Sequence, residues 1–455
     1  MKQPSAIEGK WPVVLAWIRS ARQAVLPAVS AFVFMSMAAG SAAEPAPSET
    51  LRTGQAALED GFYELAEKEF LTCLSGATPG TPEAERAAVL LASAYHGRKK
   101  YSEILSLLST VDGAAAAYWR AMAYYELKQY DKVPAALAIF DEQHNGDPYS
   151  IHARRLLADS YLRTGRTNDA LSVFQKINES NRNAPDSGSA SLDWARTLVA
   201  AGQTAHAQDV LASLVKRSAD TVDGQQGRVL LGRILIASGE TDEAEAVLTS
   251  LLGQKDADPA NKASAMISMA VIQVMRDKTM DATNTLSRAI ELAPDRRLKR
   301  EGEISLGRLL LKMKQPDDGI AILNPYIASV PPDPAAPILQ LEVADSLLEG
   351  GNADRAVDAY QHYLETFSDK RGKAEAFSGK AWALLLQQKP AYAEAATSFR
   401  QAYELFTEPV DKARCLIKAA DCHFSNKQFA LAAKTYEQVL SEFPDSSLTV
   451  QTMFQ

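Results

Sequence analysis

The sequence is poor in cysteine and in aromatic residues. Three cysteines occur in 455 residues, and phenylalanine, tryptophan and tyrosine together make up 7% of the chain. Three cysteines do not make a disulfide framework, so we expect Cys73, Cys415 and Cys422 to be small buried residues. Scarce aromatics with abundant alanine favour helices that pack closely through small side chains.

The sequence also lacks the motifs that carry common enzyme chemistry. It has no His-Glu-x-x-His metal motif, no Cys-x-x-Cys pair, no glycine-rich phosphate loop and no Gly-x-Ser-x-Gly elbow. The six histidines are scattered along the chain. We therefore predict no catalytic site, no metal site and no cofactor, and a protein that is not an enzyme.

No cluster of basic residues is present. The formal net charge is −8, whereas a nucleic-acid-binding surface needs lysine and arginine gathered on one face. We therefore expect no nucleic-acid partner. The hydrophobic content of 46% and the charged content of 23% indicate a globular protein rather than a disordered one.

The amino terminus has the order of a targeting segment. Arg19 and Arg22 precede an apolar run at 24–39, and small residues at 41–43 suit cleavage before Glu44. We predict a secretory signal peptide at 1–43, or an uncleaved N-terminal anchor, followed by a linker at 44–50. Both alternatives place the remaining chain in the periplasm or cell envelope, because the basic flank stays inside. Membrane contact is then expected only through an uncleaved N-terminal segment, if at all.

A small residue recurs at a nearly fixed interval through the rest of the chain. From Val133 onward the steps are 37 to 39 residues, which is the signature of stacked structural repeats. We call this the second small position of each unit; eleven units carry it at Ala66, Ile104, Val133, Ala170, Ala207, Ala244, Ala282, Gly319, Ala356, Ala395 and Ala432. Twelve residues earlier lies the first small position, at Gly54, Ala92, Ala121, Ala158, Ala195, Gly232, Ala270, Gly307, Ala344, Ala383 and Ala420.

The spacing predicts two antiparallel helices in each unit. A glycine in the left-handed conformation ends the first helix without a clash at Cβ, and Gly61, Gly165, Gly202, Gly239 and Gly351 occupy that place. In five other units the residue there is Lys99, Lys128, Asp277, Lys314 or Lys427, which leaves those turns less defined. Small residues at the two small positions let the helix axes approach each other.

The repeated pattern resembles the tetratricopeptide repeat. The residues that carry the resemblance are Gly54, Ala57, Gly61, Tyr63, Ala66 and Phe70 in one unit, Ala158, Tyr161, Gly165, Ala170 and Phe174 in another, and the segment 287–294 that ends in Pro294. The resemblance implies an all-α solenoid of about eleven helix-turn-helix repeats over 51–445 that forms a right-handed superhelix. Residues 446–455 then form a partial capping helix or the start of a further repeat.

The resemblance also implies where partners bind, because first helices line the concave surface in this family. The residue after each first small position then faces the groove. From the fourth unit onward these residues, which we call the first-helix row, are Asp159, Arg196, Arg233, Val271, Arg308, Asp345, Leu384 and Asp421.

Two groups of groove residues are candidates for binding. Arg196, Arg233 and Arg308, with Asp159 nearby, are candidates for holding an acidic partner segment; the alternative is an arginine ladder paired inside the chain. Tyr118 and Tyr125 are aromatic groove candidates in the third unit, and core filling is their alternative.

These features predict a non-enzymatic protein-interaction scaffold of the bacterial cell envelope. The last unit, up to Pro444, resembles envelope members of the same family, which adds to the expectation of export. The alternative functions are a solenoid that binds cell-wall material or polysaccharide, and an accessory region of a larger protein.

Overall fold

The structure is a computed structural model that describes residues 48–140, 149–180, 187–444, 452–453 and 455. Among these residues it is helical, with no strand. None of its helices there has the length and apolar character needed to cross a bilayer. Contacts divide the chain into two compact units, with the boundary after Asn261. The predicted signal or anchor at 1–43 and most of the predicted cap at 446–455 lie outside the described residues.

The helices of the first unit are α1 to α12. Their bounds are α1 Glu49–Glu59, α2 Tyr63–Gly76, α3 Pro82–Gly97, α4 Tyr101–Leu107, α5 Ala114–Glu126, α6 Val133–Ala136, α7 Ser150–Arg163, α8 Thr167–Ser180, α9 Ser187–Ala200, α10 Thr204–Arg217, α11 Val222–Ser238 and α12 Thr241–Leu252. Helix α1 begins inside the predicted linker, because Ser48 caps it by accepting a hydrogen bond from the Leu51 amide.

Helix α13 contains the boundary, and the second unit continues to α22. The bounds are α13 Pro259–Met275, α14 Thr279–Leu292, α15 Arg296–Lys312, α16 Pro316–Ile327, α17 Ala336–Glu349, α18 Ala353–Thr366, α19 Lys370–Leu386, α20 Tyr392–Leu405, α21 Pro409–Ser425 and α22 Phe429–Glu442. Each odd-numbered helix forms a hairpin with the next helix, which gives hairpins 1 to 11 within the described residues. The all-α solenoid of about eleven hairpin repeats is therefore confirmed.

Ten of these hairpin turns share one backbone motif. A residue with positive φ ends the first helix, and the next amide donates to the carbonyl five residues earlier, as from Asn352 to Leu347 at 2.8 Å. The five predicted glycines adopt this conformation, and so do the lysines and the aspartate that replace glycine in the other five turns. Lys314, for example, has φ of 58°. The substituted turns therefore have the same geometry as the glycine turns.

Hairpin 10 has a longer turn than the others, and this shifts the predicted register. The Ala391 amide donates to the carbonyl of Leu384, seven residues earlier, instead of five. Two extra residues therefore lie between α19 and α20, and the first small position of this hairpin is Ala381 rather than Ala383. The prediction that Leu384 belongs to the first-helix row is wrong: Leu384 is 2% exposed, and Trp382 occupies that place.

Hairpin 3 is the irregular one. Its second helix is reduced to α6, with short 3-10 turns at Tyr130–Lys132 and Ala138–Phe140. Pro134 lies in α6, and a proline has no amide hydrogen to continue the helical ladder. The turn motif is still present at Lys128, so the hairpin forms without a full second helix.

Small residues bring the two helices of a hairpin into contact, as predicted. A Cβ added to Gly307 would lie 2.6 Å from two atoms of the Leu323 side chain, and Gly54 has the same relation to the Phe70 ring. Both large side chains are buried, so neither site has space for a larger residue at the glycine. The three cysteines are buried and unbonded to one another, which confirms their predicted packing role.

Successive hairpins are also linked by polar contacts. In the first unit, Arg98 and Lys100 of hairpin 2 each donate to the Glu67 carboxylate of hairpin 1, at 2.7 Å. In the second unit, Arg300 Nε donates to Asp333 Oδ2 at 2.6 Å. These contacts span about one repeat of sequence, so they fix each hairpin against its neighbour.

Candidate functional site

Asp159, the first member of the first-helix row, is buried. It is 2% exposed, and its carboxylate accepts hydrogen bonds from the Tyr125 hydroxyl and from Arg163 Nε at 3.3 Å. Burial, together with the hydrogen bond to Asp159, raises the pKa of Tyr125. The predicted groove residues Tyr125 and Asp159 are therefore brought together, but as a pair that links hairpins 3 and 4.

Arg196 is engaged by an acid on its own helix. Its Nη1 lies 3.1 Å from Asp193 Oδ1, and Arg155 of hairpin 4 binds the other oxygen of Asp193 at 2.6 Å. Burial raises the pKa of Asp193, and the two arginines only partly offset this effect. The cluster is a shared ion pair between neighbouring first helices.

Arg308, in the second unit, is likewise paired inside the chain. Its Nε lies 2.7 Å from Glu342 Oε2 on the next first helix, and its side chain is 17% exposed. Arg233, in the first unit, is half-buried and also has an interaction within the chain. The internal pairing considered as the alternative for the arginine row is thus present at Arg196 and Arg308.

Tyr118 does not lie on a binding surface. Its side chain is 0% exposed, and its ring contacts those of Trp119 and Tyr149 at centroid distances of 5.5 and 5.1 Å. The prediction of Tyr118 as a groove residue is therefore wrong. Helix α6 is too short and irregular to fill the core of hairpin 3 by itself, and the aromatic rings occupy the remaining space.

Trp382 is the member of the first-helix row that combines an exposed aromatic ring with a fixed position. It is 37% exposed, while one edge packs on Phe399 at a centroid distance of 5.5 Å. Lys418 Nζ also lies 5.5 Å from the indole centroid, within range of a cation–π contact. Lys418 in turn pairs with Asp421 at 2.9 Å, so the indole contacts two neighbours that are themselves held in place.

Two carboxylates lie on α17, the first helix that precedes and packs against the helix of Trp382. Asp345 and Glu349 are exposed and lie one turn apart on α17, which places them on the same helix face. Asp345 accepts a hydrogen bond from the Tyr360 hydroxyl. Loss of hydration raises the pKa of Asp345; the Tyr360 bond opposes this, and the nearby charges of Glu349 and Glu375 add to it.

Apolar side chains extend the same surface beyond Trp382. Leu386, one turn further along α19, is 64% exposed, and Phe424 on α21 is 56% exposed. Phe424 also contacts the exposed ring of Phe429, at a centroid distance of 5.2 Å. We call Asp345, Glu349, Trp382, Leu386, Lys418 and Phe424 together the Trp382 face.

Comparisons with known families fit this architecture. Residues 192–261 match the family described as "Tetratricopeptide repeat". This segment, α9 to the start of α13, is thus similar to tetratricopeptide repeats. Residues 337–453, which include the Trp382 face, match the family described as "Soluble NSF attachment protein, SNAP". No match was found among curated proteins.

Solved structures of three other proteins are among those similar to the chain. The human IFIT1 dimer with m7Gppp-AAAA is 14% identical, with a TM-score of 0.47 over 87% of this chain and 93% of that one. A tetratricopeptide repeat protein from Parabacteroides merdae is 17% identical, with a TM-score of 0.38 over 57% and 98%. Yeast Tom70 is 13% identical, with a TM-score of 0.31 over 89% and 93%.

Tetratricopeptide repeats are generally non-catalytic and serve as scaffolds that bind other proteins. In this chain the first-helix row of the repeats is mostly paired internally, and the Trp382 face is the part that offers an exposed ring, apolar side chains and carboxylates together. Such a surface suits an extended segment that supplies both a side chain to cover the ring and polar groups at its edge.

Sequence reasoning did not place Trp382 in the first-helix row, because Ala381 and Ala383 are both small. Counting twelve residues back from Ala395 selects Ala383, whereas the longer turn makes Ala381 the equivalent position. The sequence does carry one sign of the longer turn. The step from Ala356 to Ala395 is 39 residues, two more than the steps before and after it. The two extra residues could have been assigned to the turn of hairpin 10, because that turn has no glycine.

Proposed function

We propose that this protein is a non-enzymatic interaction scaffold, exported to the bacterial cell envelope, that holds a segment of a partner protein on the Trp382 face. The observation that carries the proposal is the exposed indole of Trp382 on a first helix of the repeat array. Most other members of the first-helix row are engaged by groups of the same chain, so they offer less to a partner.

The setting of Trp382 suits a site that contributes strongly to binding. Tryptophan is enriched among the few residues that supply most of the binding free energy at interfaces. Because Phe399 and Lys418 already hold the indole, little side-chain entropy is lost when a partner covers it. The exposed Leu386 and Phe424 extend the area that a partner can bury.

Support for the envelope location comes from the sequence alone. The basic, apolar and small-residue order at 1–43 favours export. The resemblance of the last repeat to envelope proteins points the same way. A partner would then be an envelope protein or the exported part of a membrane protein.

Substitution of Trp382 tests the function. Trp382→Ala is compared with Phe62→Ala, which removes a more exposed ring (62%, against 37% for Trp382) from the first unit. Each tagged full-length variant replaces the wild-type protein in cells, and co-purified proteins are quantified by mass spectrometry. We expect Trp382→Ala to lower recovery of at least one partner by about tenfold or more, and Phe62→Ala to leave it unchanged. Equal recovery from both variants contradicts the proposal.

Binding of a polysaccharide is the second candidate, because an exposed indole can also stack on a sugar ring. Trp119 and Trp194 are each 5% exposed, so neither extends Trp382 into a row of aromatic platforms. A pull-down on envelope polysaccharide distinguishes the candidates. Retention that depends on Trp382, without any protein partner that depends on it, would favour the polysaccharide.

A further inference from the structure

The charges near Trp382 divide into paired and unpaired groups. The paired ones form ion pairs within the chain: Arg308 with Glu342, Arg371 with Glu375, Lys380 with Glu394, and Lys418 with Asp421. Among the residues that the structure describes, Asp345 and Glu349 take part in no ion pair. The Trp382 face therefore carries a surplus of negative charge.

Within the described part of the chain, no cation is among the charged groups that act on Asp345. The charged neighbours that act on Asp345 are Glu349 and Glu375, both acidic, and the Tyr360 hydroxyl supplies its one side-chain hydrogen bond. A cation placed there would gain attraction from both carboxylates of α17. The negative charge and the indole lie on neighbouring first helices, since α17 and α19 pack against each other.

We propose that the partner segment bound at Trp382 is basic, with an arginine or lysine side chain lying between the indole and the carboxylates of Asp345 and Glu349. The inference rests on the proposed function and names the chemistry of its partner. Arginine suits the place best, because its planar guanidinium group stacks on an indole and binds a carboxylate with two hydrogen bonds. The geometry thus favours the opposite sign to the acidic segment expected from the arginine row.

The apolar part of the site fits the same occupant. Leu386 lies one turn beyond Trp382 on α19, and Phe424 lies on α21, the first helix that follows α19. A segment with a basic residue next to one or two apolar residues would match both halves of the face. Apolar neighbours also lower the local dielectric constant, which strengthens the attraction between the cation and the carboxylates.

A random-peptide phage library selected on the full-length protein tests the sign of the partner's charge. We expect the selected peptides to be enriched in arginine and lysine over aspartate and glutamate. Asp345→Asn/Glu349→Gln should weaken the best peptide by about two- to tenfold, because it removes two exposed ionic contacts. The asparagine oxygen still accepts the Tyr360 hydrogen bond, so the fold is retained.

The matched control is Glu404→Gln/Glu437→Gln, which removes two exposed carboxylates from the second helices of hairpins 10 and 11. It should leave the affinity unchanged. Selection of acidic or uncharged peptides, no enrichment at all, or equal weakening by both double variants overturns the inference.

The two proposals fail in distinguishable ways. If Trp382→Ala abolishes partner recovery in cells while the selected peptides are not basic, the scaffold function stands and the basic-segment inference falls. If Trp382→Ala has no effect on partner recovery, both fall.

Discussion

The hydroxyl of Tyr360 donates a hydrogen bond to the carboxylate of Asp345, fifteen residues earlier in the same hairpin. Tyr436 makes the same contact with Asp421 in hairpin 11. In both hairpins the tyrosine lies four residues after the second small position, and the aspartate belongs to the first-helix row. The tyrosine thereby crosses from the core of the hairpin to the surface that carries the candidate site.

Removing this hydroxyl should destabilise the second unit. We expect Tyr360→Phe to lower the free energy of unfolding by about 1 kcal/mol, because Asp345 loses a hydrogen bond that water only partly replaces. Urea unfolding followed by circular dichroism measures this. Tyr403→Phe is the control: its hydroxyl bonds Glu442 at an exposed site, and its loss should cost less. A larger loss from Tyr403→Phe would count against the assignment.

Glu67 should give the first unit a defined pH dependence. Partial burial opposes ionisation of Glu67, but Lys100 and Arg98 outweigh it and hold the pKa of the carboxyl below its usual 4.5. A lowered folded pKa adds stability above the unfolded pKa, and this stability is lost as the pH falls through the folded pKa. Glu67→Gln should therefore cost about 1–3 kcal/mol near neutral pH, and the deficit should shrink below pH 4.5.

Urea unfolding of wild type and Glu67→Gln across this pH range measures the effect. Glu64→Gln is the control, since Glu64 binds the same Arg98 but its side chain is 82% exposed. It should change stability by less than about 0.5 kcal/mol at every pH. A Glu67→Gln deficit that stays constant or grows in acid would refute the assigned ion pairs.

The left-handed lysines should be sites where glycine stabilises the protein. Lys314 has φ of 58°, a conformation that costs a residue with a Cβ about 1–2 kcal/mol. Part of this gain is offset by the greater freedom of glycine in the unfolded chain, so we expect Lys314→Gly to add about 0.5–1 kcal/mol. Thermal or urea unfolding measures it. Lys299→Gly, in the interior of α15, should instead lose about 1 kcal/mol; a loss in both variants contradicts the turn geometry.

The register of hairpin 10 predicts opposite effects at two nearby residues. Leu384 is 2% exposed, so Leu384→Ala should lower the free energy of unfolding by about 2–5 kcal/mol. While folded, that variant should bind a selected peptide as the wild type does. Trp382→Ala should abolish binding at a smaller cost in stability. If Leu384→Ala is instead nearly neutral and weakens binding, Leu384 is the surface residue.

The amino terminus should be processed on export. Cleavage after Ala43 would leave Glu44 as the first residue of the mature protein, which mass spectrometry of the purified natural protein detects directly. An intact amino terminus in the membrane fraction would support the anchor instead. An intact chain in the cytosol would refute export.

The repeat architecture was predictable because it depends on local, periodic constraints. Positions where two helix axes approach each other accept only small side chains. Ala66 and Ala170 occupy such positions, and both are 0% exposed. The turn geometry at Lys314 was less predictable, because lysine carries no sign of a left-handed conformation. There the packing of the two helices sets the backbone and overrides the preference of the residue.

The candidate site was harder to predict because it depends on contacts between repeats. The pairing of Arg308 with Glu342, one repeat away, leaves no trace in the period of small residues. The burial of Tyr118 follows from the shortened second helix of its hairpin, which only the folded chain reveals. The two extra residues in the turn of hairpin 10 shifted the predicted row from Trp382 to Leu384.

Site-specific photo-crosslinking in living cells tests the central claim most directly. A photoreactive amino acid is placed at Leu386, on the Trp382 face, and in a second strain at Glu437, on the second helix of hairpin 11. Binding at the Trp382 face predicts a crosslinked partner protein from position 386, lost on adding Trp382→Ala, and none of that partner from position 437. Crosslinking of the same partner from position 437 but not from position 386 would contradict it.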